Sequence, residues 1–274
     1  MTKHVRFPLL LLLLCISTRA ISQDGSRTDS IGRTLGGDGM TLVRAAEFLA
    51  LRPLHWEAPV WLTAGGIAVG TGLASTEDRN LQTLLGHNQS SANDRLADAV
   101  VVYGNGAYMF PVGAGLYLAG LFTGDRWLRE TGLLATGAMF FSGVFSTAVK
   151  IGVGRARPYT GRSNYWFQPF RFFADDVHSF PSGHTVIAFS MSTVLSRRIG
   201  NIWASIVLYA LAGSTALSRM YTSEHWFSDV VFGAASATAI SNSLVSWYEG
   251  ENHQGSGSFR ILPYNGGVTL VLVF

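Results

Sequence analysis

Six stretches with almost no charge run through the body of this chain of 274 residues. Each approaches the roughly 20 residues that an α-helix needs to cross the hydrocarbon core of a bilayer. They cover residues 58–76, 99–123, 131–149, 182–196, 199–217 and 226–248, and Asp229 is the sole charged side chain in them. The pattern predicts an all-α fold, a polytopic membrane bundle of five or six transmembrane helices.

The composition agrees with a membrane protein. Charged residues make up 14% of the chain and hydrophobic residues 48%, whereas a soluble domain has about 25% charged residues. The net charge of +3 is small, and the basic residues do not alternate with aromatic ones along a surface, which argues against nucleic acid as a partner. The single cysteine, Cys15, excludes a disulfide within the chain. The sequence leaves the oligomeric state open.

The two ends of the chain differ from its body. Residues 1–22 have the layout of a secretory signal peptide, with a basic start, an apolar run and small residues at the end. Residues 23–56 are predicted to form a polar linker, without regular structure up to Gly39, and then an amphipathic helix over 41–54. Residues 57–250 are predicted to form the membrane phosphatase domain. Residues 251–274 predict a β-hairpin-like tail that turns at Asn265-Gly266-Gly267.

The charges at the ends of the apolar stretches predict the topology. Arg197 and Arg198 follow the fourth stretch, and basic residues favour the cytoplasmic side. By alternation, the loops 150–181 and 218–225 both lie outside, where they can meet. A cleaved signal peptide and a crossing at 58–76 are incompatible with this order. We expect the glycine-rich segment 58–76 to lie in the interface or re-enter; the alternative is that it spans and that the N-terminus is not translocated.

The two outer loops concentrate cations in a regular spacing. Lys150 is followed after six residues by Arg157 and Pro158, and Arg155 and Arg162 lie in the same loop. Guanidinium groups can close on a tetrahedral oxyanion. Because several cations in one place repel one another, the cluster predicts a bound anion.

The fourth stretch begins with Pro181-Ser182-Gly183-His184. The start of a helix offers free backbone N–H groups and the positive end of the helix dipole, which together bind anions. Gly183 lets an anion approach the backbone, and the hydroxyl of Ser182 can cap the helix or donate to the anion. This segment therefore predicts a phosphate site at the entrance of a membrane helix.

The second loop and the last stretch supply Arg219, His225 and Asp229. His225 and Asp229 are four residues apart and share one helix face. A carboxylate bonded to one imidazole nitrogen leaves the lone pair of the other exposed, which makes the imidazole a nucleophile or a base. We expect His225 to attack phosphorus and His184 to protonate the departing oxygen and then activate water. This scheme requires no metal and no cofactor. The alternative is that His225 and Asp229 form a purely structural pair that joins two helices.

Together, the motifs Lys-x6-Arg-Pro, Pro-Ser-Gly-His and Ser-Arg-x5-His-x3-Asp resemble those of the type 2 phosphatidic acid phosphatase and vanadium haloperoxidase superfamily, in its branch of bacterial membrane-bound lipid phosphatases. The resemblance covers Lys150 to Asp229 and implies a membrane phosphatase domain. It implies that His225 is the nucleophile, His184 the acid and Asp229 the partner of His225. It implies that phosphate is bound by Lys150, Arg157, Ser182, Gly183 and Arg219.

The predicted function is a metal-independent hydrolysis of lipid phosphates or pyrophosphates through a phosphohistidine, at the periplasmic face of a bacterial inner membrane. Phosphatidic acid, phosphatidylglycerol phosphate, undecaprenyl pyrophosphate and lipid A remain equal candidates. The alternatives are a soluble periplasmic acid phosphatase, a vanadium haloperoxidase, and a non-catalytic protein that binds or transports lipid headgroups. The aromatic loop 159–180 is either a lid over a lipid chain or a packed interfacial loop.

Overall fold

The computed structural model describes residues 25–253, 258–264 and 267–273. The predicted signal peptide, 1–22, and the turn residues Asn265 and Gly266 lie outside the described residues. The chain divides into two units, one up to Gly39 and one from Met40 onward.

Helix α1 covers Gly25–Leu51, so the prediction that residues up to Gly39 lack regular structure is wrong for 25–39. Each glycine makes a helix about 1 kcal/mol less favourable than alanine would, so the sequence of this glycine-rich segment does not predict a helix. Extending an existing helix costs far less than nucleating one. The predicted helix 41–54 ends early, at Leu51, and a 3-10 turn follows over Arg52–His55, where Pro53 lacks the N–H that an α-helix would use.

The bundle itself consists of long helices joined by short polar elements. The long helices are α2 (Ala58–Ser75), α5 (Gly106–Thr123), α6 (Arg126–Val153), α7 (Gly183–Ile199), α8 (Ile202–Tyr221) and α9 (Phe227–His253). The short helices α3 (Asp78–His87) and α4 (Ser91–Val100) connect α2 to α5. Among the described residues, α5, α6, α8 and α9 are long and apolar enough to cross a membrane. The prediction of an all-α membrane fold agrees with this architecture.

One predicted stretch, 99–123, is interrupted in the structure. Its first part forms the end of α4 and a 3-10 turn over Val101–Gly104. Helix α5 then starts after Asn105, whose side chain accepts a hydrogen bond from the N–H of Ala107. An asparagine in this position is a typical N-cap and fixes where the helix begins.

Helices α6, α7 and α9 form the centre of the bundle. Met139 of α6, Met191 of α7 and Leu244 of α9 are buried in one apolar cluster. Helix α5 packs on α6, α8 on α7, and α2 on α9. Small residues allow close approach of helices within a membrane, and the buried residues of the central helices include Ala138 of α6, Ala188 of α7 and Ala237 of α9.

The two ends of the bundle are held by different polar contacts. At one end, Arg198 in the last turn of α7 donates to Glu130 near the start of α6 over 3.0 Å, and the indole of Trp127 donates to the carbonyl of Arg198 over 3.1 Å. At the other end, the side-chain amide of Asn164 donates to the carbonyl of Ser75, the last residue of α2, over 3.2 Å. Helix α2 therefore ends on the side of the loop 154–182.

The tail contains two strands, β1 (Ser258–Tyr264) and β2 (Gly267–Val273), which pair antiparallel. Ser258 lies opposite Val273, and Tyr264 lies opposite Gly267.

Candidate active site

The long loop begins at a sharp turn after α6. Gly154 has a φ of 60°, and its N–H donates to the carbonyl of Lys150 over 2.8 Å, which ends the helix. A Cβ at this position would run into the carbonyl of Gln168. Glycine is therefore required here for two reasons, the left-handed conformation and the close approach of the returning loop.

Lys150 ties this loop to the start of α7. Its ammonium group donates to the carbonyls of His178 over 2.7 Å and Pro181 over 2.5 Å. An ammonium group has three donors, so one remains for an anion. The aliphatic part of the Lys150 side chain passes beside Gly183: a Cβ added to that glycine would lie 3.9 Å from Cε of Lys150. Lysine and helix start thus lie side by side, as the motifs predict.

Ser182 is fully buried and precedes the first residue of α7. Its N–H donates to the carbonyl of Asp229 over 3.2 Å, which joins α7 to the start of α9. Its hydroxyl accepts from the Thr185 hydroxyl over 2.9 Å. Among the described contacts, the Ser182 side chain does not cap the helix, so of its two predicted roles the structure leaves donation to an anion.

The arginines of the two loops meet at one carboxylate. Arg157 donates from Nη1 to Glu224, and from Nε and Nη2 to the carbonyl and carboxylate of Asp175 over 2.8 and 2.7 Å. Arg219 reaches the same Glu224 carboxylate at 3.4 Å. The Nε of Arg219 is buried and has no hydrogen-bond partner within the described part of the chain. The two loops therefore contact each other, and Glu224 lies between two predicted phosphate ligands.

His225 differs from the sequence prediction in its partner. Its Nδ1 lies 2.6 Å from the carbonyl oxygen of Ser179 and 3.8 Å from the nearest carboxylate oxygen of Asp229. The second distance is too long for a hydrogen bond, so the carbonyl of Ser179 replaces the predicted bond to Asp229. Because a carbonyl only accepts, Nδ1 carries the proton and Nε2 the lone pair. The tautomer is the predicted one, fixed by a different residue.

The imidazole of His225 is 2% exposed. Burial lowers its pKa from 6.5 to about 3, because the charged form loses its hydration. The cations of Lys150 and Arg157 lower the pKa further, while the carboxylate of Asp229 opposes them. The ring is therefore neutral at physiological pH, as a nucleophile must be.

His184, the second residue of α7, is half-buried. Its imidazole interacts electrostatically with the positive charges of Arg219, Arg157 and Lys150. Lys150 and Arg157 act on His225 as well. The structure thus brings both histidines and the predicted phosphate ligands to one end of the bundle, while their catalytic roles stay predictions.

Asp229 is fully buried and bonded on several sides. It accepts from the Ser179 hydroxyl over 2.5 Å and from the N–H of Trp226 over 2.8 Å. Arg155 donates to it over 2.6 Å and to Asp78 over 2.6 Å. The expectation that Arg155 closes on an anion is therefore wrong, since two buried carboxylates engage it.

For Arg162 the sequence expectation stays a prediction. Its guanidinium pairs with Asp176 over 3.1 Å, and both side chains are more than 40% exposed. Sequence reasoning missed Asp78, Ser179 and Glu224. Glu224 is charged and directly precedes His225, and this position could have indicated that it belongs to the site. Asp78 and Ser179 adjoin no motif that would reveal their contacts.

Comparisons with known proteins support the motif assignment. Residues 131–252 match the family model of the PAP2 superfamily. Over 101 residues, the chain is 34% identical to the lipid A 1-phosphatase of Porphyromonas gingivalis, in a match that covers 36% of this chain and 21% of that protein. The chain thus spans about a fifth of the length of this curated relative.

Two crystal structures share the fold. Aquifex aeolicus LpxE is 22% identical, with a TM-score of 0.50 and coverage of 62% of this chain and 94% of that one. A transmembrane PAP2-type phosphatidylglycerolphosphate phosphatase from Bacillus subtilis is 15% identical, with a TM-score of 0.54 and coverage of 67% and 94%. The stretch that is similar to the PAP2 superfamily, residues 131–252, contains every predicted site residue.

Proposed function

We propose that this protein is a membrane-bound phosphatase that hydrolyses lipid phosphates or pyrophosphates through a phosphohistidine on His225. The observation that carries the proposal is the fixed, neutral imidazole of His225, whose Nδ1 is bonded to Ser179 and which shares its surrounding cations with His184. A neutral histidine beside an anion site is suited to attack phosphorus.

The reaction has two steps. In the first, Nε2 of His225 bonds to phosphorus while the phosphorus–oxygen bond of the leaving group breaks, and His184 gives its proton to the departing oxygen. In the second, His184 takes a proton from water, the water oxygen bonds to phosphorus, and the phosphorus–nitrogen bond breaks. Inorganic phosphate leaves and both imidazoles return to their starting states.

The phosphate ligands act on the charge that moves in these steps. The cations of Lys150, Arg157 and Arg219 balance the equatorial oxygens, together with the Ser182 hydroxyl and the N–H of Gly183. Glu224 holds both arginines, through Nη1 of Arg157 and Nη2 of Arg219. Glu224 therefore competes with a bound phosphate for these two arginines.

Exposed aromatic residues near the site support a lipid substrate. Phe170, Phe172 and Phe173 are 69%, 60% and 103% exposed. The N–H of Phe170 donates to the carbonyl of Ile151 over 2.7 Å, which places this segment at the end of the apolar helix α6. Exposed phenylalanine rings at that level can bury apolar surface in the membrane interface. The names of the similar proteins, which concern lipid A and phosphatidylglycerolphosphate, favour the same substrate class.

The topology that we propose has six crossings, by α2 and by α5 to α9. Helix α2 supports it, because α2 packs against α9 and ends at Ser75 beside the loop that carries Asn164. Arg197 and Arg198 then face the cytoplasm by the preference of basic residues for that side. In this topology the site faces the periplasm, and the host membrane is the inner membrane.

The test is phosphate release by purified protein in detergent. The substrates are phosphatidic acid, phosphatidylglycerol phosphate, undecaprenyl pyrophosphate, lipid A and a water-soluble phosphate ester. We expect lipid phosphates to be hydrolysed by the wild type and by His87→Gln, a control at an exposed histidine of α3, but not by His225→Gln. Chelators should leave the rate unchanged and vanadate should inhibit it. Hydrolysis that survives His225→Gln, or that requires magnesium, would contradict the proposal.

A further inference from the structure

A buried chain of three charges extends from α3 to the start of α9. Arg155 lies between the carboxylates of Asp78 and Asp229, at 2.6 Å from each. Asp78 and Asp229 are fully buried and Arg155 is 3% exposed. Buried charges are costly to keep, and a partner that is removed leaves the others uncompensated. Three charges that are kept in this place at such a cost are therefore expected to have a function.

The guanidinium of Arg155 is fixed on every side. Its Nε donates to the carbonyl of Asn164 over 2.7 Å, and its Nη1 donates to the Ser228 hydroxyl over 2.7 Å as well as to Asp229. Its Nη2 donates to Asp78. A planar fork with partners on all of its nitrogens has no freedom to turn. The position of Asp229 thus depends on what holds the opposite edge of Arg155.

Asp78 holds that edge and the start of α9 together. Besides Arg155, it accepts from the N–H and the hydroxyl of Ser228, both over 2.9 Å. Ser228 is the second residue of α9, where a carboxylate is stabilised by the helix dipole. The same carboxylate therefore fixes the residue that precedes Asp229 and the cation that binds Asp229.

Asp229 in turn holds the residue that orients the nucleophile. It accepts from the Ser179 hydroxyl over 2.5 Å, and the Ser179 carbonyl accepts from Nδ1 of His225 over 2.6 Å. The three buried side chains, Asp78, Arg155 and Asp229, carry two negative charges and one positive charge. Without Asp78, Asp229 would be the sole counter-ion of Arg155 and would lose part of its effect on the ring as positive charge develops there.

We propose that Asp78 is a positioning residue for His225, acting through Arg155, Asp229 and Ser179, so that the short helix α3 belongs to the catalytic machinery. This inference rests on the proposed function. Asp78 touches no reacting atom; it sets the charge and position of the groups behind the imidazole.

The structure offers a matched control for a purely structural role. Glu130 is 7% exposed and pairs with two arginines, Arg126 at 2.5 Å and Arg198 at 3.0 Å. It precedes Lys150 on α6 by about 20 residues, which corresponds to about 30 Å along the helix. Glu130→Gln therefore removes a buried carboxylate from two arginines at the opposite end of the bundle.

The experiment compares Asp78→Asn with Glu130→Gln in the full-length protein, using the best lipid phosphate from the panel above. We expect both to lower Tm, and Asp78→Asn alone to lower kcat by about 10- to 100-fold, the range for residues behind a reacting group. KM should change less than about threefold, because the phosphate ligands are untouched. The acid limb of the pH profile of kcat should move with Asp78→Asn and not with Glu130→Gln.

A double-mutant cycle tests the route of the effect. If Asp78 acts through Asp229, then Asp78→Asn should cost little further activity in an Asp229→Asn background. Equal kcat in Asp78→Asn and Glu130→Gln, or additive losses in the cycle, would overturn the inference. If Asp78→Asn does not fold, Ser228→Ala replaces it, and an unchanged kcat there would overturn it too. An inactive wild type would refute the proposed function instead, which keeps the two failures distinct.

Discussion

Nδ1 of His225 donates a hydrogen bond to the carbonyl oxygen of Ser179 over 2.6 Å, while the carboxylate of Asp229 stays 3.8 Å away. Asp229 nevertheless reaches the same serine, because it accepts from the Ser179 hydroxyl over 2.5 Å. The carboxylate thus holds the residue that holds the imidazole. A carbonyl partner leaves no choice of tautomer, since it can only accept.

The first prediction concerns the nitrogen that becomes phosphorylated. With Nδ1 protonated and bonded to Ser179, the lone pair available for attack is on Nε2. We expect enzyme quenched in alkali during turnover to contain phosphohistidine phosphorylated at Nε2 of residue 225. Phosphorus NMR of the digested protein, against both synthetic isomers, distinguishes the positions. Phosphorylation at Nδ1, or on His184, would contradict the geometry.

The second prediction is a loss of stability in mild acid. Burial lowers the pKa of His225 from 6.5 to about 3. Between these values the unfolded chain binds a proton that the folded protein does not, so lowering the pH favours unfolding. The contribution of His225 to the free energy of unfolding should therefore be complete above about pH 6.5 and should fall as the pH is lowered toward 3.

His225→Gln isolates this contribution, because glutamine does not titrate. We expect the Tm of the wild type in detergent to drop more than that of His225→Gln when the pH is lowered from about 7.5 to about 4.5. His87→Gln, at an exposed position, should follow the wild type. Parallel curves for wild type and His225→Gln would show that residue 225 is not buried in its neutral form.

The residues gathered at the site could be predicted because each motif is short in sequence and sits at a helix end. Pro181-Ser182-Gly183-His184 begins α7, and Lys150 lies in the last turn of α6. Charge-free stretches of bilayer length then indicate that these helix ends share one side. Only their side chains' exact partners, such as Ser179 in place of Asp229, required the structure.

Asp78 could not be predicted, for a physical reason. Its partner Arg155 is 77 residues away, and nothing near Asp78 in the sequence distinguishes it from a solvated carboxylate at a helix start. The bend of the loop at Gly154 brings Arg155 to α3, and that depends on the return of Gln168. Similarly, the break in the stretch 99–123 depends on the cap at Asn105, which a hydrophobic run of this kind conceals.

The third prediction is tighter phosphate binding when Glu224 is neutralised. Glu224, whose side chain is 30% exposed, competes with phosphate for Arg157 and Arg219. A partly exposed ion pair contributes about 0.5–1 kcal/mol, so Glu224→Gln should lower the inhibition constant of inorganic phosphate about two- to fivefold. Asp176→Asn, which removes an exposed partner of Arg162, should leave that constant unchanged. Weaker inhibition in Glu224→Gln would show that Glu224 orders the arginines for phosphate instead of competing with it.

The fourth prediction separates the lipid contact of the aromatic loop from the chemistry. Phe172 and Phe173 are among the most exposed aromatic side chains that the structure describes, and the loop returns to α6 through the N–H of Phe170. If these rings lie in the membrane interface, replacing both by serine removes a contact that only a lipid substrate uses. We expect KM for a lipid phosphate in vesicles to rise about 30-fold, as two partly buried rings of about 1 kcal/mol each would give. Hydrolysis of a water-soluble phosphate ester should stay at the wild-type rate.

The matched control is Phe122→Ser, since Phe122 is 58% exposed at the end of α5 that lies away from the site. It should leave KM for both substrates unchanged. Depth is measured independently with a fluorophore attached to cysteine in Phe173→Cys, in a Cys15→Ser background, and quenched by lipids that carry nitroxides at different depths. Quenching strongest near the headgroups is expected. A fluorophore that only aqueous quenchers reach, together with an unchanged lipid KM in the double serine variant, would show that the loop faces water and that lipid is recognised elsewhere.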